Sequence, residues 1–260
     1  MSQIVIDREL CKKDGACVDV CPSQTLFMGE DGFPQEDSER NCILCGHCVA
    51  VCGFEALTHS GLPSEPFLPM PKNLPDGATL DRFLMSRRSV RAYRNRPVPR
   101  ETLEALLDVA RRAPTATNSQ KLHWIVVNGA EKVQTLSAEM ANWMRTTGLL
   151  PALLQRCESG PDPLLRGAPA VVVACAPEDY DWGKQDCAIA LTFLELAAEA
   201  RGLGACWAGY LTRIAGLHAP LREALGVPEG YAIQGGLMIG EAKHKYKRVP
   251  PRKRLSVQWL

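Results

Sequence analysis

Residues 42–52 read Cys-Ile-Leu-Cys-Gly-His-Cys-Val-Ala-Val-Cys, with cysteines at 42, 45, 48 and 52. This is the spacing that wraps a cubane iron–sulfur cluster. Three thiolates on one tight loop hold three irons, and the fourth cysteine reaches another cluster. Upstream the frame recurs as Cys11-x5-Cys17-x3-Cys21-Pro22, with Asp14 where the second cysteine should stand. Zinc takes pairs of C-x2-C set a dozen or more residues apart, so it does not explain a doubled frame. The crossed rule assigns Cys21, Cys42, Cys45 and Cys48 to one cluster. Cys11, Cys17 and Cys52 go to the other, with Asp14 as candidate fourth ligand. A carboxylate is a harder ligand than thiolate. The first cluster is therefore expected to be 4Fe-4S, and the second either 4Fe-4S or 3Fe-4S.

These residues resemble the bacterial 2×4Fe-4S ferredoxin domain, over about residues 3–60. Gly53 stands where that family has its second proline. Of the 11 cysteines, 7 lie between Cys11 and Cys52, a clustering that fits metal ligation better than disulfides. Cys157, Cys175, Cys187 and Cys206 have no ligand spacing and read as small buried hydrophobes.

The chain has 260 residues, 46% hydrophobic and 23% charged, which is globular composition and too long for one small domain. Its longest apolar runs, such as 168–176, are far too short to cross a bilayer, and the first residues form no apolar signal core. A cytoplasmic protein is expected. Residues 1–60 hold 10 acidic and 4 basic residues, net −6; the remainder holds 19 acidic and 26 basic, net +7. An acidic head on a basic body implies two units with different tasks. Residues 63–75 carry Pro63, Pro66, Pro69, Pro71 and Pro75, which block helix and sheet and favour an extended spacer. The predicted organisation is an iron–sulfur domain at 1–60, a linker at 61–78 and a second domain at 79–260. The first domain has little apolar residue for a core, so a metal staple is expected.

Beyond the linker the pattern turns to helices and strands. Helices are predicted at 102–112, 131–144 and 187–200, the last apolar nearly all round and so central and buried. Strands are predicted at 122–127, 170–175, 206–211 and 233–239. Arg87-Arg88-Ser89-Val90-Arg91 places three guanidiniums and a hydroxyl in five residues, a phosphate clamp. The loop Ala113-Pro114-Thr115-Ala116-Thr117-Asn118-Ser119-Gln120 offers amide donors and acceptors to a heterocycle edge.

Together these motifs resemble the FMN-dependent nitroreductase family. Gly202-Leu203-Gly204, Trp207-Ala208-Gly209, Leu225-Gly226-Val227-Pro228 and Met238-Ile239-Gly240 agree, as does Arg248-x-Pro250-x-Arg252. The likeness covers about 79–260. It implies an α+β fold in which a mixed sheet surrounded by helices forms a flavin domain, preceded by the small two-cluster ferredoxin domain. It implies an intertwined homodimer with FMN at the interface, and a trailing strand at 255–260 pairing with the partner. It implies that Arg87, Arg88, Ser89 and Arg91 hold the FMN phosphate and ring, and that Asn118 and Gln120 hold polar flavin atoms. Pro114 and Thr115 would approach the partner's flavin, Ala208 and Gly209 bring backbone to the ring, and Arg252 returns to the phosphate. Lys121-Leu122 replaces the family's frequent Pro-Trp.

Gly202-x-Gly204 follows a helix and precedes a strand, the reverse of the Rossmann order, which argues against a dinucleotide fold. The basic tail at 243–254 lacks interleaved aromatics beyond Tyr246, which argues against nucleic acid. The expected function is transfer of electrons from a low-potential donor, reduced ferredoxin or NAD(P)H, through two Fe–S clusters to FMN. From there they reach a small-molecule acceptor such as a nitroaromatic or quinone. No catalytic side chain is assigned, because the cofactors carry the chemistry. Two other classes share these motifs: an electron-transfer protein that docks a partner, and a specialised flavoenzyme for reductive dehalogenation or flavin remodelling. Residues 145–168 are a candidate lid for the latter.

Overall fold

A computed structural model describes residues 3–260. The chain divides into two compact units. One runs to Leu74 and includes Thr117–Ser119; the other holds Pro75–Ala116 and Gln120–Leu260.

The N-terminal unit is an internal repeat. β1 (Ile4–Ile6) pairs antiparallel with β4 (Leu57–His59), and β2 (Leu26–Met28) with β3 (Pro34–Glu36). Between them lie two helical turns, α1 (Ala16–Asp19) and α2 (His47–Val51). Each opens on a left-handed glycine, Gly15 at φ 78° and Gly46 at φ 72°. The residues before them match as well: Lys13 has φ 60° and Leu44 has φ 54°. So do Gln24 at φ 52° and Glu55 at φ 54°. The backbone thus repeats with a 31-residue offset, Cys21 upon Cys52. Its core is Ile4, Cys17, Leu26, Cys48, Ala56 and Leu57, two of them cysteines. Leu62 and Phe67 close on Gly46, so the first part of the proline-rich stretch packs on this unit instead of spanning freely.

The C-terminal unit begins with α3 (Gly77–Ser86), capped by Asp76, whose carboxylate accepts from Thr79 N–H at 2.8 Å. The predicted linker therefore ends within the first turn of a helix. α4 (Arg100–Ala110), β5 (His123–Asn128), α5 (Ala130–Thr147) and α6 (Pro151–Ser159) follow. Then come β6 (Ala170–Pro177), α7 (Gly183–Ala200), β7 (Gly204–Trp207), α8 (Gly209–Ala215), α9 (Ala219–Ala224) and β8 (Tyr231–Gly240). The sheet order is β5-β6-β8-β7, and these ladders are antiparallel. The parallel element of the mixed sheet is the single bridge Ser89↔Ala205.

β6 reads Ala-Val-Val-Val-Ala-Cys-Ala-Pro and is buried on both faces, as a central strand between two helical layers must be. Val171, Val173 and Cys175 point to a core with Met140, Trp143, Leu211 and Leu221. Ala170, Val172 and Ala174 point to the opposite core with Leu106, Leu191 and Leu194. At the C-terminus of α7, Gly202 takes φ 74°, and Leu203 N–H returns to Ala198 C=O at 2.9 Å.

Two sequence readings are corrected. The strand expected at 206–211 stops at Trp207. Ala208 N–H donates to Gly236 C=O, and its carbonyl then accepts from Thr212 N–H, opening α8. An apolar run alone does not distinguish these outcomes. α7 starts at Gly183 and is not buried all round: Ile189 and Phe193 are each 38% exposed in the single chain. Residues 255–260, expected to pair with a second copy, stand free of any strand in the single chain, with Leu255, Trp259 and Leu260 exposed. No helix among the described residues is long and apolar enough to cross a membrane.

Candidate cofactor sites

The repeat gathers its cysteines into two sets. Cys48 lies within electrostatic reach of Cys42, Cys45 and Cys21. Burial, with those neighbours adding, pushes its thiol up to about 11. Cys17 is likewise raised by burial, with Cys11 and Cys52 nearby. These are the two groupings that the crossed spacing predicts. Cys21 is also raised by burial, but N–H groups of Leu26, Thr25 and Ser23 outweigh this and leave it lowered. Thr25 N–H donates to Cys21 Sγ at 3.2 Å, and its repeat mate Ala56 N–H donates to Cys52 Sγ at 3.4 Å. Leu44 N–H donates to Cys42 Sγ at 3.4 Å. Amides aimed at sulfur suit thiolates that carry charge. Among the described residues no three His, Cys, Asp or Glu side chains close on a single-ion position. The donor chemistry, thiolates with backbone amides aimed at sulfur, fits iron–sulfur clusters.

Asp14 occupies the repeat position of Cys45, on a backbone of the same shape. Its Oδ1 accepts from Ala16 N–H at 3.2 Å, an Asx turn on an exposed residue.

In the C-terminal unit the five-residue clamp divides. Arg87 pairs with Glu195 at 2.9 Å, and Glu195 is only 7% exposed. Arg88 folds back, donating to the carbonyls of Met85 and Arg87 at 2.6 Å each. It lines a cleft with Glu199, Gly202 and Lys245, where its buried Nε has no partner. Burial raises the Glu199 carboxyl, with Arg87 and Arg88 opposing. Ser89 and Arg91 face a different cleft of about 330 Å³, together with Trp207, Gly209 and Cys206. Val90 N–H bonds to Ala205 C=O at 2.9 Å, and a Cβ on Gly204 would collide with Val90. The clamp segment is thus pressed onto β7, which aims Ser89 and Arg91 at this cleft.

Arg166 and Arg213 line the same cleft, and sequence reading missed both. Arg166 has a left-handed backbone at φ 57° beside Gly167, and Arg213 sits on α8. Neither belongs to a motif; a lone arginine carries no local signal. The three guanidiniums share a lining without a carboxylate. Such a donor set fits the phosphate or the electron-rich pyrimidine edge of a flavin. Asp162 and Leu164 belong to the candidate lid segment. Asp162 accepts from Ser137 Oγ–H at 2.8 Å and Leu164 N–H at 2.8 Å, fixing Leu164 against the cleft.

The polar loop is positioned by a buried carboxylate. Asp186, 2% exposed, accepts from Ala116 N–H at 3.1 Å and from Tyr180 O–H at 2.6 Å. Lys121 stacks over the Tyr180 ring at 4.9 Å. Thr115 Oγ1 accepts from Gln120 N–H at 3.1 Å, and both line a small cavity with Trp124; Pro114 is exposed. Asn118 belongs with the N-terminal unit: its Nδ2–H groups donate to Ile43 C=O at 3.2 Å and Leu44 C=O at 2.9 Å. Its amide is therefore committed to a cysteine loop in the single chain. Ala208 is buried and Gly209 is open to the cleft, while Arg252 lies in the exposed tail.

Comparison with known proteins agrees with this division. Residues 84–241 match the nitroreductase family, and residues 3–53 match the 4Fe-4S dicluster domain. A putative NADH dehydrogenase/NAD(P)H nitroreductase of Archaeoglobus fulgidus is 32% identical over 62% of this chain and 84% of its own. A protein of Hydrogenibacillus schlegelii named ferredoxin 7Fe is 35% identical over 26% of this chain and 80% of its own. A Bacteroides fragilis nitroreductase with bound FMN superposes with TM-score 0.59 at 25% identity, covering 69% of this chain and 98% of that one. The chain therefore belongs to the nitroreductase family, as an oxidoreductase that carries a 4Fe-4S dicluster domain ahead of its flavin-type fold.

Proposed function

We propose that the protein is a cytoplasmic FMN-dependent oxidoreductase. It takes electrons from a low-potential donor such as reduced ferredoxin and delivers them to a small acceptor of the nitroaromatic or quinone type. When bound, the clusters supply one-electron relay and the flavin supplies hydride or electron transfer to the acceptor. The observation that carries the reading is the pairing, in one chain, of two separated thiol sets with a tri-arginine cleft.

The chain's own groups bind and tune. Cys21, Cys42, Cys45 and Cys48 hold a 4Fe-4S cluster. Cys11, Cys17 and Cys52 hold the second, a 3Fe-4S centre or a 4Fe-4S cluster completed by Asp14. The likeness to a protein named for seven irons supports the unequal pair. Ser89, Arg91, Arg166 and Arg213 bind FMN, and Gly209 offers its open backbone N–H to the ring. Arg87 orients the clamp through Glu195, and Arg252 joins from the tail. Pro114, Thr115 and Gln120 serve the flavin of a second copy. A homodimer is supported by exposed apolar side chains on Ile189, Phe193, Leu255 and Trp259.

The test is cofactor content. Anaerobically purified protein should hold one FMN per chain and seven to eight irons, following cluster stoichiometry. It should oxidise reduced ferredoxin when a nitroaromatic or quinone is added. Protein with neither iron nor flavin, after growth in iron-replete medium, would overturn the reading.

A further inference from the structure

We propose that His59 is a positioning residue that acts through the Cys42 sulfur, raising the reduction potential of one cluster and not the other. The inference rests on Cys42 being a cluster ligand, as proposed above. His59 Nε2 lies 3.4 Å from Cys42 Sγ. At the other side of the ring, Gly61 N–H donates to Nδ1 at 3.1 Å. A neutral imidazole has one N–H and one acceptor nitrogen. With Nδ1 accepting, the proton sits on Nε2 and points at the sulfur. The same bond keeps His59 from being an iron ligand, since Nε2 has no lone pair to give.

The surroundings hold this arrangement. His59 ends β4 opposite Ile4, and Ser60 N–H bonds to Gln3 C=O at 2.8 Å, so its backbone is fixed by β1. Gly61 leaves the ring its place. A Cβ there would lie 3.0 Å from Leu44 Cδ2, 3.2 Å from Gln3 Oε1 and 3.2 Å from His59 Cε1. Any other residue at 61 would press on the ring and on the loop that carries Cys42.

A hydrogen bond to a ligating sulfur withdraws negative charge from the cluster and favours the extra electron. The repeat shows why the effect is one-sided. The mate of His59 is Met28, at the same place on β2, and its thioether has no N–H to donate. The device therefore acts on the set Cys21, Cys42, Cys45 and Cys48 alone, in addition to any inequality from Asp14.

The experiment is an EPR-monitored redox titration of the holoprotein at one pH, with iron content measured on the same samples. Wild type, His59→Leu and His59→Gln are compared. The relevant cluster is the one whose signal Cys45→Ser removes. In His59→Leu its midpoint should fall while the other stays in place. His59→Gln, which retains an N–H donor, should recover part of the shift. Unmoved midpoints in His59→Leu, or two midpoints falling together, would overturn the proposal. So would loss of iron in both variants, or a glutamine variant as low as leucine, because His59 would then only be structural. Wild type without iron fails the ligand assignment itself, and so is told apart from a failure of the His59 inference.

Discussion

The two units differ in what stands at their centre. The C-terminal unit closes two continuous apolar cores on the faces of β6, with Leu106, Met140, Leu191, Leu194 and Leu211 fully buried. The N-terminal unit buries six apolar residues, two of them cysteines. About 60 residues rarely bury enough apolar surface to fold firmly alone. On the proposed reading, a cofactor in the first case would fill a cleft on a finished fold, and in the second the cofactors would supply the missing core. The difference teaches that losing metal and losing flavin should be different kinds of event.

The largest effect follows from that contrast. Stripping iron with chelator and oxidant should unfold the N-terminal unit, because the metal binding energy is its folding energy. Hydrogen exchange should show protection lost over residues 3–60 and kept in β6 and α7. Removing FMN should leave both cores protected and lower stability only by mass action, by about a few kcal/mol. Equal loss of protection in the two units on iron removal would break the contrast.

The second effect separates support from binding within the arginine clamp. Arg87→Ala strands the Glu195 carboxylate. A fully buried pair loses about 3–5 kcal/mol this way; with Arg87 at 24% exposure we expect about 2–4. Urea unfolding of the apoprotein measures it, and adding Glu195→Gln should recover most of the loss. Arg91→Ala should leave apoprotein stability nearly unchanged. It should weaken FMN binding by about 10- to 150-fold, from a charge-assisted contact of about 1.5–3 kcal/mol. If Arg91→Ala binds FMN at the wild-type affinity, the cleft has been misassigned.

These two arginines also mark how far sequence reading reaches. The cysteine frame was legible because most of its spacing is local: each repeat carries its ligands on one short loop and turn, and Gly15 and Gly46 announce the turns. β6 and α4 were legible from periodicity. The partner of Arg87 lies 108 residues away on α7, a pairing that no local pattern encodes. Arg166 and Arg213 reach their cleft from two separate elements for the same reason. The strand misread at 206–211 has a different cause. The apolar pattern runs on from β7 into α8, and the turn is made at Ala208, whose N–H donates to Gly236 C=O and whose C=O accepts from Thr212 N–H. Asn118 is expected at the flavin from its motif, and no local pattern shows that in the single chain its amide donates to Ile43 and Leu44.

A third, smaller effect sharpens the comparison within the repeat. Asp14→Cys restores the mate of Cys45 on a backbone already shaped for it. Iron in air-exposed protein should rise by about one per chain if the wild-type site is a 3Fe-4S centre. The oxidised EPR signal of that centre should disappear. Unchanged iron and an unchanged signal would show that Asp14 does not stand at a ligand position.

The smallest effect concerns the remaining thiols. Burial pushes Cys175 up to about 11 and Cys187 up to about 12, so both stay neutral at pH 8. Half-buried Cys157 should therefore be alkylated first in the folded holoprotein, read by mass spectrometry. Faster labelling of Cys187 would mean that the α4–α7 core opens.

The most direct test of the relay is anaerobic rapid mixing of oxidised holoprotein with reduced ferredoxin, following bleaching of the flavin absorbance. Wild type and Cys45→Ser are compared at equal FMN occupancy. Wild-type flavin should be reduced quickly, and the flavin of Cys45→Ser, still bound, should be reduced at least tenfold more slowly. Equal rates in the two proteins would contradict the claim that the cysteine-bound clusters feed the flavin.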